Sequence, residues 1–229
     1  MSILSDGALI DLILSGELVV KPFVIDHVQP SSIDLCLDTY FKIPSQSSDR
    51  INLEEDNSHF YKEEIIEDTY VLKAGNYVLG QLYEYIKIPD DCNGHIYNRS
   101  SLARVGLDVA SGTYINPGYA GKLTIILKNI GTHDINLTPK RRICQLEINK
   151  VNPKPLRTYQ QRKEAKYFDE KDSLVSLIHE DSEILDFKKK RGNIGRTELL
   201  NFLDNRITEK SEEIVNSLPE TLKQKLRLM

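Results

Sequence analysis

YVLKAGNYVLGQLYEYIKI, Tyr70 to Ile88, is dense in Val, Leu, Ile and Tyr and is followed by the turn signal Pro89-Asp90-Asp91. That composition reads as β-strand. Working outward, KLTIILKNI (Lys122–Ile130) and RICQLEI (Arg142–Ile148) have the same character. Asn93-Gly94, Asn116-Pro117-Gly118 and Gly131-Thr132 read as turns between such runs. Strand-like sequence extends from Val19 to about Val151 with no long helical pattern inside it. Many short strands without intervening helices predict a mainly β fold, a barrel or jelly roll. At the N-terminal side, MSILSDGALIDLILSGEL predicts a short amphipathic helix ending near Gly16. Gln46 to Glu67 is polar and acidic and reads as an insertion between strands, with room for a hairpin.

The chain of 229 residues accommodates one substantial domain plus an appendage, and its 40% hydrophobic and 28% charged residues are those of a soluble globular protein. No run approaches the length of a membrane span. Asp6 and Asp11 interrupt the apolar N-terminal stretch, which has no basic flank, so it does not read as a secretory signal. Cys36, Cys92 and Cys144 are far apart and odd in number. This predicts free thiols, a reducing compartment and a cytoplasmic protein. A net charge of −4 lacks the overall basicity of a nucleic-acid binder. Any phosphate site must therefore be local.

After Val151 the character changes. RTYQQRKEAKYFDEKDS is polar with little periodicity and reads as an extended tail. From about Asp181 the pattern is helical: Thr197 is placed to cap a helix with Leu199, Leu200, Leu203 and Ile207 on one face, and Ile214, Val215, Leu218, Leu222 and Leu226 continue it around Pro219. KKKRGNIGR, Lys188 to Arg196, reads as a solvated linker or as a patch for an acidic partner. The expected division is a β domain over 1–158, a tail over 159–181 and a helical extension over 182–229. The extension serves packing or subunit contacts, or holds a protein partner. Its mixed charges and Pro219 disfavour a membrane role.

NRSSLARVGL, Asn98 to Leu107, places Arg99, Ser100, Ser101 and Arg104 within six positions. Arginine offers a rigid fork of donors that suits phosphate oxygens, and hydroxyls add further donors. Composition alone favours an ordinary solvated loop. The setting decides between these.

PSSIDLCL (Pro30–Leu37), NRSSLARVGL, INPGYAG (Ile115–Gly121), RICQL (Arg142–Leu146) and YQQRKEAKY (Tyr159–Tyr167) occur in this order. Together they resemble the dCTP deaminase branch of the dUTPase-like superfamily. SLIHED, Ser176 to Asp181, resembles the tail of archaeal members that join deaminase and diphosphatase activities. The likeness covers roughly Ile3 to Asp181 and leaves the last stretch unmatched. It implies a distorted β-barrel or jelly roll, a homotrimer with sites between subunits, and a deoxynucleoside triphosphate (dCTP, or dUTP or dTTP) bound with Mg²⁺. By the same resemblance, Arg99, Ser100, Ser101 and Arg104 grip the phosphates, with Gln145 nearby. Tyr119 packs against deoxyribose and Asn116 bonds the sugar. Tyr159, Lys166 and Tyr167 belong to the tail that closes over the nucleotide, with Lys166 on a phosphate.

Zinc deaminases carry H-x-E and P-C-x-x-C signatures, and neither is present. The five histidines show no H-x-x-H or H-x-x-x-H spacing, so no zinc is expected. The resembling family works without zinc, through a glutamate base helped by the serine and arginine matching Ser100 and Arg104. The glutamate's position holds Ile126, and the aspartate that orients water in dUTP diphosphatases is replaced by Asn116. An isoleucine cannot accept a proton, and a general base contributes about 10²–10⁴-fold to rate. The Gly-rich C-terminal motif of dUTPases is missing, and the loop Asp108–Tyr114 is one residue shorter than in deaminases. Three readings stand: a triphosphate-binding protein that has lost catalysis and acts as sensor or regulator; an active dCTP deaminase whose base is Asp108 or Glu147; and a hydrolase of another nucleotide. Asp34 is expected to be structural, bonding backbone near the subunit interface. Cys36 and Cys144 are expected in the core.

Overall fold

The computed structural model describes residues 2–109, 114–162, 165–169 and 175–190. The strands are β1 (Ser2–Ile3), β2 (Val19–Lys21), β3 (Val28–Gln29), β4 (Ser32–Pro44), β5 (Tyr61–Ile65), β6 (Tyr70–Leu72), β7 (Tyr77–Lys87), β8 (Cys92–Asn98), β9 (Leu107–Val109), β10 (Tyr114–Ile115), β11 (Ala120–Asn129), β12 (Ile135–Leu137) and β13 (Arg142–Lys150). Two short helices accompany them, α1 (Asp6–Leu14) and α2 (Ser100–Ala103).

The run 70–88 is two strands rather than one. Gly75 takes φ +78, a conformation that costs a side chain but not glycine. The Asn76 amide donates to the Lys73 carbonyl and turns the chain. Upstream of the break, β6 pairs only with β12 in a small separate sheet. Downstream, β7 lies between β4 and β11 in the large sheet, ordered β10-β8-β13-β4-β7-β11-β9. Asn129 ties the two sheets: its amide donates to the carbonyls of Leu72 at 3.0 Å and His133 at 2.8 Å.

Being central, β7 is covered on both faces over residues 78–82 and then alternates. The sheet curls into a half-barrel around Leu35, Leu37, Phe41, Leu82, Ile125, Leu127 and Leu146, all fully buried. Each such side chain contributes about 1.5–3 kcal/mol on leaving water. The mainly β expectation holds. α1 ends at Ser15, with Gly16 at φ +77 stopping it as expected. The acidic insertion is the connection of a hairpin, since β5 returns to pair with β4, Tyr61 opposite Pro44.

The chain separates into a unit over Met1–Leu177 and a second over Ile178–Met229. In the second, a helix covers 182–190, so Lys188, Lys189 and Lys190 are helical rather than linker. The helices expected around Thr197, Leu203 and Leu218 lie outside the described residues. Cys36, Cys92 and Cys144 are free and buried.

Candidate functional site

The family-matched residues gather at the two ends of β8. At the Asn98 end, Asp34 on β4 is 2% exposed and anchors a cluster of arginines. Arg142 on β13 donates to its Oδ2 at 2.9 Å, and the Arg99 guanidinium stands 3.7 Å from the same oxygen. Arg99 also donates to the Arg142 carbonyl at 3.2 Å. The expectation that Asp34 bonds backbone is therefore corrected: it holds two side chains. A buried carboxylate needs such partners, because an unpaired charge out of water is costly.

α2 starts directly after Arg99, and Asn98 braces its return by donating to the Leu107 carbonyl at 2.8 Å. Gly106 then takes φ +83, where a Cβ would stand 2.8 Å from the backbone of Gly131. That close approach fixes the loop on the turn after β11. Ser100, Ser101 and Arg104 are exposed, and their side chains make no hydrogen bond or ion pair among the described residues. Their donors are available to a ligand. Gln145, half-buried on β13, lies opposite Tyr97 and donates to the Ser32 hydroxyl at 3.4 Å. A cleft of about 400 Å³ opens beside these groups, lined by Arg99, Arg141, Arg142, Leu102, Leu107 and Leu137 among others. Arg142 opens the matched RICQL segment, but neither it nor Arg141 was assigned a role from sequence.

At the Cys92 end lies the turn 116–119, with Pro117 second and Gly118 third at φ +76. The Tyr119 amide closes it on the Asn116 carbonyl at 3.1 Å, the residue pattern of a type II turn. The turn holds Tyr119, 5% exposed, beneath the half-buried Tyr159, with ring centroids 6.0 Å apart. The Tyr159 amide donates to the Pro117 carbonyl at 2.7 Å. Beside them Asp91 and Lys150 pair at 2.6 Å, which holds the Asp91 carboxyl below its usual range and the Lys150 ammonium above its own.

The tail continues over the same barrel. The Tyr159 hydroxyl accepts from the Tyr167 amide at 3.2 Å, and Asp169 donates its amide to the Ala120 carbonyl at 2.7 Å. Burial, with the Asp169 carboxylate near, pushes the Tyr85 phenol up. Lys166 donates to the Leu177 carbonyl at 2.7 Å, while the Tyr167 hydroxyl accepts from the Leu177 amide. Lys166 is thus engaged within its own tail.

The two ends are not brought together in one chain. Seven residues of β8 separate them, about 20 Å at the rise of an extended strand. On β11, on the face opposite the buried Ile125 and Leu127, Ile126 is 47% exposed. Asp108 on β9 pairs with Lys128, two residues along that face, so it is the diagonal neighbour of Ile126 across the strands. The middle of the shortened loop, 110–113, lies outside the described residues. Glu147 accepts from Asn149 at 3.0 Å and pairs with His95, away from β11.

A curled, mainly β protein with an exposed Arg-Ser-Ser-x-x-Arg loop and a tyrosine beneath its own tail is the class defined so far. The comparisons give the family. A family model described as dCTP deaminase-like matches residues 3–151, and the chain belongs to that family. A "dCTP deaminase, dUMP-forming" of Nanoarchaeum equitans is 34% identical over 197 residues, covering 78% of this chain and 98% of that one. A dCTP deaminase of Haloarcula marismortui is 34% identical over 192 residues, covering 79% and 97%. Among solved structures, the 2'-deoxycytidine 5'-triphosphate deaminase of Agrobacterium tumefaciens matches with TM-score 0.52 at 23% identity. That match covers 65% of this chain and 48% of the other, so this chain spans about half of that protein; the likeness is one of fold.

Proposed function

We propose that the chain binds a deoxynucleoside triphosphate between neighbouring copies of itself and lacks the ordinary deaminase chemistry, serving as a nucleotide sensor or regulator. The phosphates fall to Arg99, Ser100, Ser101, Arg104 and Gln145; the sugar falls to Tyr119 and Asn116. A sugar and its phosphates are joined, whereas these two groups of residues lie at opposite ends of one strand. A second copy, in a trimer as the family resemblance implies, would supply the missing half. The arginine end offers donors and a single carboxylate, Asp34, already engaged. That donor set fits Mg²⁺ carried on the triphosphate oxygens, where it would offset phosphate charge.

The observation that carries the loss of catalysis is Ile126, exposed at the position where the family's base belongs, with Asn116 in place of the second carboxylate. The two relatives described above are named dCTP deaminases, one of them dUMP-forming. Hydrolysis of that amine needs a group to take a proton from water, and neither position provides one. One specific observation favours a second reading. Asp108 is the diagonal neighbour of Ile126 on the same face, and a relocated base there would restore deamination.

Ammonia release from dCTP, measured beside calorimetric titration with dCTP, dUTP and dTTP in Mg²⁺, separates these. Heat without ammonia is expected. Turnover abolished by Asp108→Asn would establish the second reading, and silence from all three nucleotides would sink both.

A further inference from the structure

Three buried carboxylates face the region where β4 meets β7, and two of them have cations. Asp34 has Arg142 and Arg99; Asp38 has Lys122 at 2.7 Å. Glu84 on β7 is 3% exposed and makes no salt bridge among the described residues. Its Oε2 accepts the Cys36 amide at 2.9 Å, one residue before the β4–β7 pair Leu37–Leu82. A buried carboxylate without a counter-cation is costly. What surrounds it is specific. A ring nitrogen of His27, the Cys36 sulfur and a Glu84 oxygen all lie within 4.8 Å of one another.

We propose that His27, Cys36 and Glu84 form a binding site for one divalent transition-metal ion of the zinc type. Imidazole, thiolate and carboxylate are the donors such an ion takes. The ion supplies the positive charge that Glu84 lacks, and binding releases the Cys36 thiol proton to solvent. A bound cation reverses the local field at the buried thiol and carboxylate. Donors about 2.0–2.3 Å from zinc stand about 3.5 Å apart, so separations within 4.8 Å need close by little more than about 1 Å at most. Three protein donors leave a position for water. The site clamps the turn Ile25–His27 to β4 and β7, two residues along β4 from Asp34. None of its three ligands is among the residues assigned to phosphate or sugar, although Cys36 lies two residues from Asp34 on the same strand.

The test is titration of the metal-free full chain with Co²⁺. One equivalent is expected, with a near-ultraviolet sulfur-to-cobalt charge-transfer band that Zn²⁺ abolishes. Cys36→Ser should remove the band while Cys92 and Cys144 remain. Should that variant not fold, His27→Ala, at a half-buried position, should weaken cobalt at least tenfold. Cobalt bound without the band, an adventitious surface ion only, would overturn the proposal. So would a band unchanged in both variants, or no binding at all.

Discussion

The two ends of β8 are ordered by different physics. At the Asn98 end, charge sets the geometry: one buried carboxylate positions two guanidiniums, and three neighbouring side chains have no partner among the described residues. At the Cys92 end, backbone conformation sets it: a Pro-Gly turn seats Tyr119, and the chain's own tail covers it. One end leaves cationic and hydroxyl groups exposed, and the other shields a ring from water. Two halves of a nucleotide, phosphate and sugar, ask for those two environments.

The comparison breaks most visibly at the charged end. Arg142→Met leaves Asp34 buried with only the longer contact to Arg99, and stability in urea should fall by about 3 kcal/mol. An unchanged midpoint would mean the network orders nothing. Arg99→Ala should weaken triphosphate binding about tenfold or more, the loss of a charged hydrogen bond worth about 1.5–3 kcal/mol, while nucleoside binding stays the same. At the other end, Gly118→Ala forces a side chain into φ +76 and sets its Cβ 2.7 Å from that of Thr158. A cost of about 1–2 kcal/mol is expected, with faster proteolysis of the tail. Tail cleavage at the native rate would show that the turn does not hold it.

The smallest effect is in acid. Asp91 is held below its usual range by Lys150. The pair's contribution is complete above the unfolded carboxylate pKa and is lost as pH falls through the lower folded value. Both groups are partly exposed, so Asp91→Asn should cost under about 1 kcal/mol at neutral pH, and the difference should vanish in acid. A constant difference across pH would assign the cost to packing instead.

Much of this was legible in the sequence because the signals were local. Turn residues and strand runs gave the β class, Gly16 gave the end of α1, and the Arg-Ser-Ser-x-x-Arg spacing put free donors on one loop. What stayed hidden depends on register. Asp34 and Arg142 are 108 residues apart, and they meet because β13 shifts register beside β4 between Arg142 and Cys144. His27, Cys36 and Glu84 have no metal-like spacing, since three separate segments deliver them. The break at Gly75 was also hidden, because strand composition continues on both sides of it.

The contact between Gly106 and Gly131 bears on how variation in this protein is interpreted. A Cβ at 106 meets backbone rather than a side chain that a second substitution could shorten. A library of random variants selected only for folding should therefore return position 106 unchanged. Invariance there reports a collision between two loops, and beside an arginine motif it would be easy to mistake for contact with a ligand.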